Sequence, residues 1–202
     1  MILSQEQSDA VEAAVSRMFP FILVNGFAGS GKSVIGRAVR DRIANCLVAC
    51  YSGIGSNNVG GQTTYSLFGI PTMFVPNPED FNAIEVRHQD KYAKHFNRRA
   101  KGSTRSNPHP IKYTPLRAAN FLLLDEIYAL RCDHFDFIDK TLRQARGKPT
   151  IPFGGLHTLM VGDEGQGEPV VNDEDRVVLD SYGYKAPYDF RSAKVLEGVE
   201  YV

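Results

Sequence analysis

Gly26-Phe27-Ala28-Gly29-Ser30-Gly31-Lys32-Ser33 has the spacing of a phosphate loop: a glycine, four residues, then Gly-Lys-Ser. Such a loop turns successive backbone N–H groups inward on a phosphate, here those of Gly26, Ala28, Gly29, Ser30 and Gly31. A helix starting at Gly31 would add unpaired N–H donors and partial positive charge. Lys32 is then expected to reach the outer phosphates and Ser33 to hold magnesium. A second constellation, Asp125-Glu126, follows the apolar run Phe121-Leu122-Leu123-Leu124. At such a position an aspartate can hold the magnesium shell and a glutamate can polarise an attacking water. Each feature has a plainer reading, a glycine-rich turn for the first and a helix start for the second. Together they point to phosphate chemistry at one site.

These residues need elements to position them. Phe21-Ile22-Leu23-Val24-Asn25 is an apolar run of strand length before the loop, and Val34 to Val39 can continue as helix after it. Ahead of the strand, Ser4 and Gln7 form a capping box for a helix whose apolar positions Ala10, Val11, Ala14, Val15 and Met18 recur up to Pro20. Cys46 to Tyr51 reads as a second strand, Ser52-Gly53-Ile54-Gly55 as a turn, and Gly60 to Thr64 as a polar stretch leading to Phe68-Gly69-Ile70-Pro71. Phe121–Leu124 reads as a buried parallel strand. Asp133 is expected to cap the next helix, with Phe135, Ile138 and Leu142 facing inward. Gly147 to Gly155 reads as a loop, Thr158 to Val161 as a strand and Gly162-Asp163 as the turn at its end. Strands alternating with helices imply an α/β fold, a parallel sheet with helices on both faces and ligands at the strands' carboxyl ends.

The 202 residues suffice for one domain with one small insertion. That insertion is expected at 76–115, where five prolines surround a short helix from about Phe81 to Ala100. Twenty-three basic residues balance twenty-three acidic ones, so net charge gives no argument for nucleic acid. The stretch from Arg87 to Arg117 nevertheless holds nine Lys or Arg against Asp90 alone, a cationic segment on an otherwise anionic chain. Three cysteines, Cys46, Cys50 and Cys132, suit no secreted framework and favour a reducing compartment. Cys46 and Cys50, four residues apart on a strand, would lie about 13 Å apart, too far to share a zinc ion. No run is apolar enough to span a bilayer, so an intracellular protein, cytoplasmic or in the nucleoid, is expected.

Several blocks in order resemble the Pif-type branch of superfamily 1 DNA helicases (superfamily 1B), relatives of RecD and Dda. They are Leu3-Ser4-x-Glu6-Gln7, Gly26 to Ser33, Ser52-Gly53-Ile54 with Gly61-Gln62-Thr63, Asp125-Glu126-Ile127, and Pro152-Phe153-Gly154-Gly155 with Val161-Gly162-Asp163-x-x-Gln166. The resemblance implies the first RecA-like, phosphate-loop motor domain of a 5′-to-3′ helicase that uses ATP and Mg2+ on single-stranded DNA, in repair, recombination and replication. It also implies that the Thr158–Val161 strand separates the Asp125 strand from the phosphate-loop strand. Carried across, Gln7 would read the adenine edge and Lys32 and Ser33 the phosphates and magnesium. Asp125 and Glu126 would serve metal and water, and Gln166 would sense the terminal phosphate. DNA contacts would come from Ser52-Gly53 and from Gly61 to Phe68. In these segments Thr63 and Ser66 bond phosphate oxygens while Tyr65 or Phe68 stacks on a base. Phe68, beside Leu67 and Ile70, also reads as core, and Gln7 as the capping-box residue alone.

The departures fall mainly on the DNA side. The family's Ala-Pro-Thr-Gly stands here as Cys50-Tyr51-Ser52-Gly53, its Thr-Ile-His-Ser as Thr63-Thr64-Tyr65-Ser66, and its Gln-Leu-Pro-Pro as Gln166-Gly167-Glu168-Pro169. Motors of this kind close two RecA-like domains on ATP, the second supplying transition-state arginines. Residues 1–202 match only the first, so alone they are expected to hydrolyse ATP slowly and to need a second domain or partner chain. Two other readings are a non-catalytic module that uses ATP to regulate DNA or partner binding, and a small-molecule kinase. The kinase ranks last, because its arginine-rich lid would have to come from Arg176 and Arg191, the only arginines after Gly162.

Overall fold

The computed structural model describes residues 3–70, 113–197 and 199. The expected helix near 81–100, and most of the 76–115 insertion and of the cationic 87–117 stretch, lie outside the described residues. Helix α1 (Gln5–Ser16) starts with the anticipated capping box: the Ser4 hydroxyl accepts from the Gln7 amide and the Gln7 side chain accepts from the Ser4 amide. Next come β1 (Phe21–Asn25), α2 (Lys32–Arg42), β2 (Cys46–Cys50), α3 (Gly53–Val59), β3 (Gln62–Thr63) and α4 (Thr64–Phe68). After residue 112 follow α5 (Tyr113–Ala118), β4 (Phe121–Asp125), α6 (Cys132–Arg146), β5 (His157–Gly162) and α7 (Asp173–Ser181).

The five strands form one parallel sheet in the order β1-β5-β4-β2-β3. β5 thus separates the Asp125 strand from the phosphate-loop strand, as the resemblance implied. Every residue of β4 is buried, because helices cover both sheet faces. Alternate side chains enter two separate apolar clusters. Leu47, Ala49, Leu122, Leu124 and Met160 join Leu67, Leu116, Phe135, Ile138 and Leu142 on one side. Val48, Cys50, Leu123, Leu159 and Val161 join Val11, Ala14, Ile35 and Val39 on the other. Phe135, Ile138 and Leu142 do face inward, at the 3-4-7 spacing of a buried helix stripe.

Some expectations need correction. Ser52–Gly55 is the start of α3, with the Ser52 hydroxyl accepting from the Gly55 amide at 3.0 Å and Gly60 closing the helix in the left-handed conformation. Asp133 does not cap α6: Arg131 holds the N-cap position, and the Asp133 carboxylate is taken by the Arg131 guanidinium at 2.7 and 2.9 Å. Gly162 ends β5, and the 147–155 loop contains a 3-10 turn at Pro152–Gly155. The cysteines are free, no group of three or more His, Cys, Asp or Glu among the described residues is placed to hold a metal ion, and none of their helices is long and apolar enough to cross a membrane.

Phe68, expected among the DNA contacts, is fully buried on α4 within the first cluster and presents no face for base stacking. Phe68→Ala should therefore destabilise the chain by about 3–5 kcal/mol, as truncating a buried phenyl ring does. Urea denaturation measures it, and a change below about 1 kcal/mol would contradict this placement.

Candidate nucleotide site

In-register pairing brings the strands' carboxyl ends to one edge: Asn25 lies opposite Gly162 and Cys50 opposite Asp125. The loop after β1 starts there, with the Gly26 amide donating to the Gly162 carbonyl at 3.2 Å. Gly29 (φ 82°) and Gly31 (φ 87°) adopt the left-handed backbone that a side chain would resist, and this wraps the loop into the start of α2. The Lys32 ammonium, on the first residue of α2, donates to the carbonyls of Gly26 and Phe27, the latter at 2.7 Å, and lies 3.7 Å from the Asp163 carboxylate.

A cleft of about 310 Å³ opens at this edge. Its lining includes Ala28, Gly29, Gly31, Lys32 and Ser33 from the phosphate loop and α2, together with Asp125, Glu126, Gly162, Asp163 and the exposed Gln166 from the ends of β4 and β5. Gly26 and Ser30 belong to the loop but not to the cleft wall. Gln7 reaches the loop from α1, its Nε2 donating to the Ser30 carbonyl at 3.2 Å, so its one side chain both completes the capping box and touches the phosphate loop.

Burial pushes the Asp125 carboxyl above its ordinary value; the Glu126 charge adds to this, while the hydrogen bond from the Glu126 amide and the nearby Lys32 ammonium oppose it. Glu126 has a left-handed backbone (φ 58°), an unfavourable conformation for this residue type that here turns the chain sharply at the end of β4. Its carboxylate accepts from the Ser52 amide at 2.7 Å and the Ser52 hydroxyl at 2.9 Å.

The other expected DNA residues lie along the loops after β2 and β3. Gly53 is exposed at the start of α3. Thr63 caps α4, its hydroxyl accepting from the Ser66 amide at 3.2 Å. Tyr65 is partly buried, with rings of Tyr51 and His134 edge-on to it and its hydroxyl 3.1 Å from His134 Nδ1. Burial raises the Tyr65 phenol to about 12 and lowers His134 to about 4, so both are neutral near physiological pH. Phe153, from the Pro-Phe-Gly-Gly block, is fully buried against Phe21 and Phe135 and serves packing.

Sequence reasoning left Asp163 out of the site, although it follows the apolar β5 as Asp125 follows β4. Its carboxylate is buried beside Lys32 and accepts from the Gly165 amide. Asn58, which lines the cleft from α3, carried no signal, because α3 read as a turn and polar stretch.

A family model described as PIF1-like helicase matches residues 2–101. The ATP-dependent DNA helicase PIF4 of Trypanosoma brucei brucei is 28% identical over 147 residues, covering 70% of this chain and 16% of that protein. The ATP-dependent DNA helicase PIF1 of Saccharomyces cerevisiae is 28% identical over 190 residues, covering 91% of this chain and 19% of that protein. Among solved structures, Pif1 helicase from Bacteroides in complex with ADP-AlF3 and ssDNA superposes with a TM-score of 0.75 at 29% identity, over 100% of this chain and 42% of that one. The fold is thus RecA-like, and this chain spans less than a quarter of the length of the curated relatives it matches.

The raised Asp125 carboxyl has a signed consequence. Because the folded chain holds this proton more tightly than the unfolded chain, the group favours folding most at low pH, and that contribution is lost as pH rises through its folded value. Asp125→Asn, whose side-chain oxygen can still accept from the Glu126 amide, should melt higher than the unsubstituted chain near neutral pH. The advantage should shrink as pH falls toward the ordinary carboxylate range. Thermal melts across that range read it, and a pH-independent difference would contradict the assignment.

Proposed function

We propose that this chain is a member of the PIF1-like helicase family and that residues 1–202 form a first RecA-like motor domain, a reading supported by the family-model match over residues 2–101 and the likeness to Pif1 helicase structures. It binds ATP in the cleft between the phosphate loop and Asp125-Glu126. Joined to a second RecA-like domain, it couples hydrolysis to movement along single-stranded DNA in the 5′-to-3′ direction. The observation that carries this reading is the convergence of Lys32, Ser33, Asp125, Glu126 and Gln166, drawn from three separate strand ends, on one cleft.

In this reading the loop amides of Gly29 and Gly31 and the N-terminus of α2 hold the phosphates. Lys32 exchanges its loop carbonyl partners for the outer phosphate oxygens, and buried Asp163 keeps the ammonium in place. The residues suit a hard cation: Ser33 and Asp125, both lining the cleft, offer one hydroxyl and one carboxylate, and Mg2+ takes few protein oxygens when phosphates complete its shell. When bound there, the ion neutralises phosphate charge. Glu126 orients the attacking water, and Gln166, on the loop after β5, contacts the terminal phosphate. Gln7, already at the loop, faces the base. Gly53, Thr63, Ser66 and the edge of Tyr65 form the DNA-facing side, through phosphate contacts that carry affinity without sequence preference, with Ser52 at its start keeping both of its donors on Glu126.

Lys32→Ala should abolish detectable binding of ATP with Mg2+ in calorimetric titration while leaving the melting temperature of the ligand-free chain within about 3 °C of the unsubstituted one. Equal affinity in the two proteins would refute the site.

A further inference from the structure

Glu126 does not stand alone at the cleft wall. Both of its carboxylate oxygens are held by one residue, Ser52, which lies 74 positions earlier on a different strand end: Oε2 accepts from the Ser52 amide at 2.7 Å and Oε1 from the Ser52 hydroxyl at 2.9 Å. The Ser52 hydroxyl also accepts from the Gly55 amide, so its proton is directed to Glu126 and its lone pair to α3. The surroundings leave the carboxylate little freedom. A Cβ added at Gly55 would come within 2.7 Å of Glu126 Oε1 and 2.3 Å of Cys50 Sγ, so α3 approaches this pair only because residue 55 has no side chain. Burial, and then the hydrogen bond with Glu126, push the Cys50 thiol well above its ordinary value, keeping it protonated beside the carboxylate. The Glu126 backbone is in the left-handed region, so the main chain alone does not set an easy side-chain direction.

We infer that Ser52 is the positioning residue for Glu126, fixing the carboxylate's orientation toward the water that attacks the terminal phosphate. This rests on the nucleotide reading of the cleft. Ser52 also opens the segment proposed to face DNA, so a strand lying on the 52–68 loops is one residue removed from the water-orienting group. DNA engagement then changes the rate of the chemical step through the Ser52–Glu126 pair and leaves ATP affinity nearly untouched. Charge-assisted bonds of this two-donor kind fix direction as well as distance, and small misplacements of a reacting group cost large factors in rate.

The test uses this chain with Ser52→Ala, Ser52→Thr, Glu126→Gln and the Ser52→Ala/Glu126→Gln double variant. ATP affinity is measured by calorimetry, ADP with aluminium fluoride as a probe of transition-state fit, and single-turnover hydrolysis with protein in excess, with and without a single-stranded oligonucleotide. Ser52→Ala should keep ATP affinity within about twofold, yet weaken the aluminium fluoride complex and slow hydrolysis by roughly tenfold or more. Ser52→Thr, which keeps the hydroxyl that Ser52→Ala removes, should restore both, and an acceleration by oligonucleotide should be lost in Ser52→Ala and in Glu126→Gln but kept in Ser52→Thr. In the Glu126→Gln background, Ser52→Ala should have little further effect. The inference is overturned if Ser52→Ala matches the unsubstituted chain in the aluminium fluoride complex, if it loses ATP affinity in proportion, if Ser52→Thr fails as badly, or if the two substitutions act additively. Failure of the underlying reading looks different: ATP then binds neither the unsubstituted chain nor any variant, and the inference falls with it.

Discussion

Everything at the site depends on hydrogen-bonded register between parallel strands. β1 pairs with β5, β5 with β4 and β4 with β2, each ladder running nearly flush to the carboxyl ends. Side chains within the strands are mostly apolar, and those of β4 are covered on both faces, so the charged groups collect where the strands stop. Asn25, Asp125 and Asp163 therefore arrive at one edge although the first and last are 138 positions apart in the chain. A one-residue slip would turn the Asp125 side chain from the cleft to the opposite sheet face. The apolar clusters oppose that slip, because alternate residues of each strand belong to different sides.

Once the edge is assembled, polar ties between its segments set finer geometry. Lys32 meets Asp163 across β1 and β5, Glu126 meets Ser52 across β4 and β2, and Gln7 meets the Ser30 carbonyl from the first helix. Each tie joins neighbours in the sheet or stacked against it that lie far apart in the chain. In a partly desolvated cleft such charged groups are costly unless paired, so the partners hold one another in place.

The parallel sheet's main strands and the phosphate loop were legible because their signals are local: apolar runs of strand length, a fixed glycine spacing, a serine and a glutamine three apart; the place of β5 between β1 and β4 came from the family resemblance instead. α3 was not, because Gly53 and Gly55 depress helix propensity and look like a turn; its cap and its left-handed Gly60 show only when the Ser52 hydroxyl is seen to accept the Gly55 amide. Asp163 was hidden because a carboxylate after a glycine reads equally as turn residue. Phe68 shows the opposite failure, in which a motif position suggested exposure while its neighbours Leu67 and Ile70 gave the better guide, all three being buried. Asp133 was taken for a cap by position alone, whereas Arg131 two residues earlier is its partner.

α6 also carries a row that apolar periodicity does not reveal. Asp133, Asp136 and Asp139, three residues apart, are all buried and each fastens a different segment. Asp133 holds Arg131, whose guanidinium also reaches Asp175 on α7. Asp139 accepts from the Phe153 amide and from Arg143. Asp136 accepts from the Tyr184 hydroxyl and from the amides of Lys194 and Val195. At those last two positions the fastening depends on main-chain N–H groups, which every residue but proline possesses. Attachment of the 194–195 segment to α6 is therefore indifferent to side-chain identity in this one respect, whereas proline at either position would cut it; the Lys194 ammonium, lying over the Tyr184 ring, adds a side-chain hold of its own.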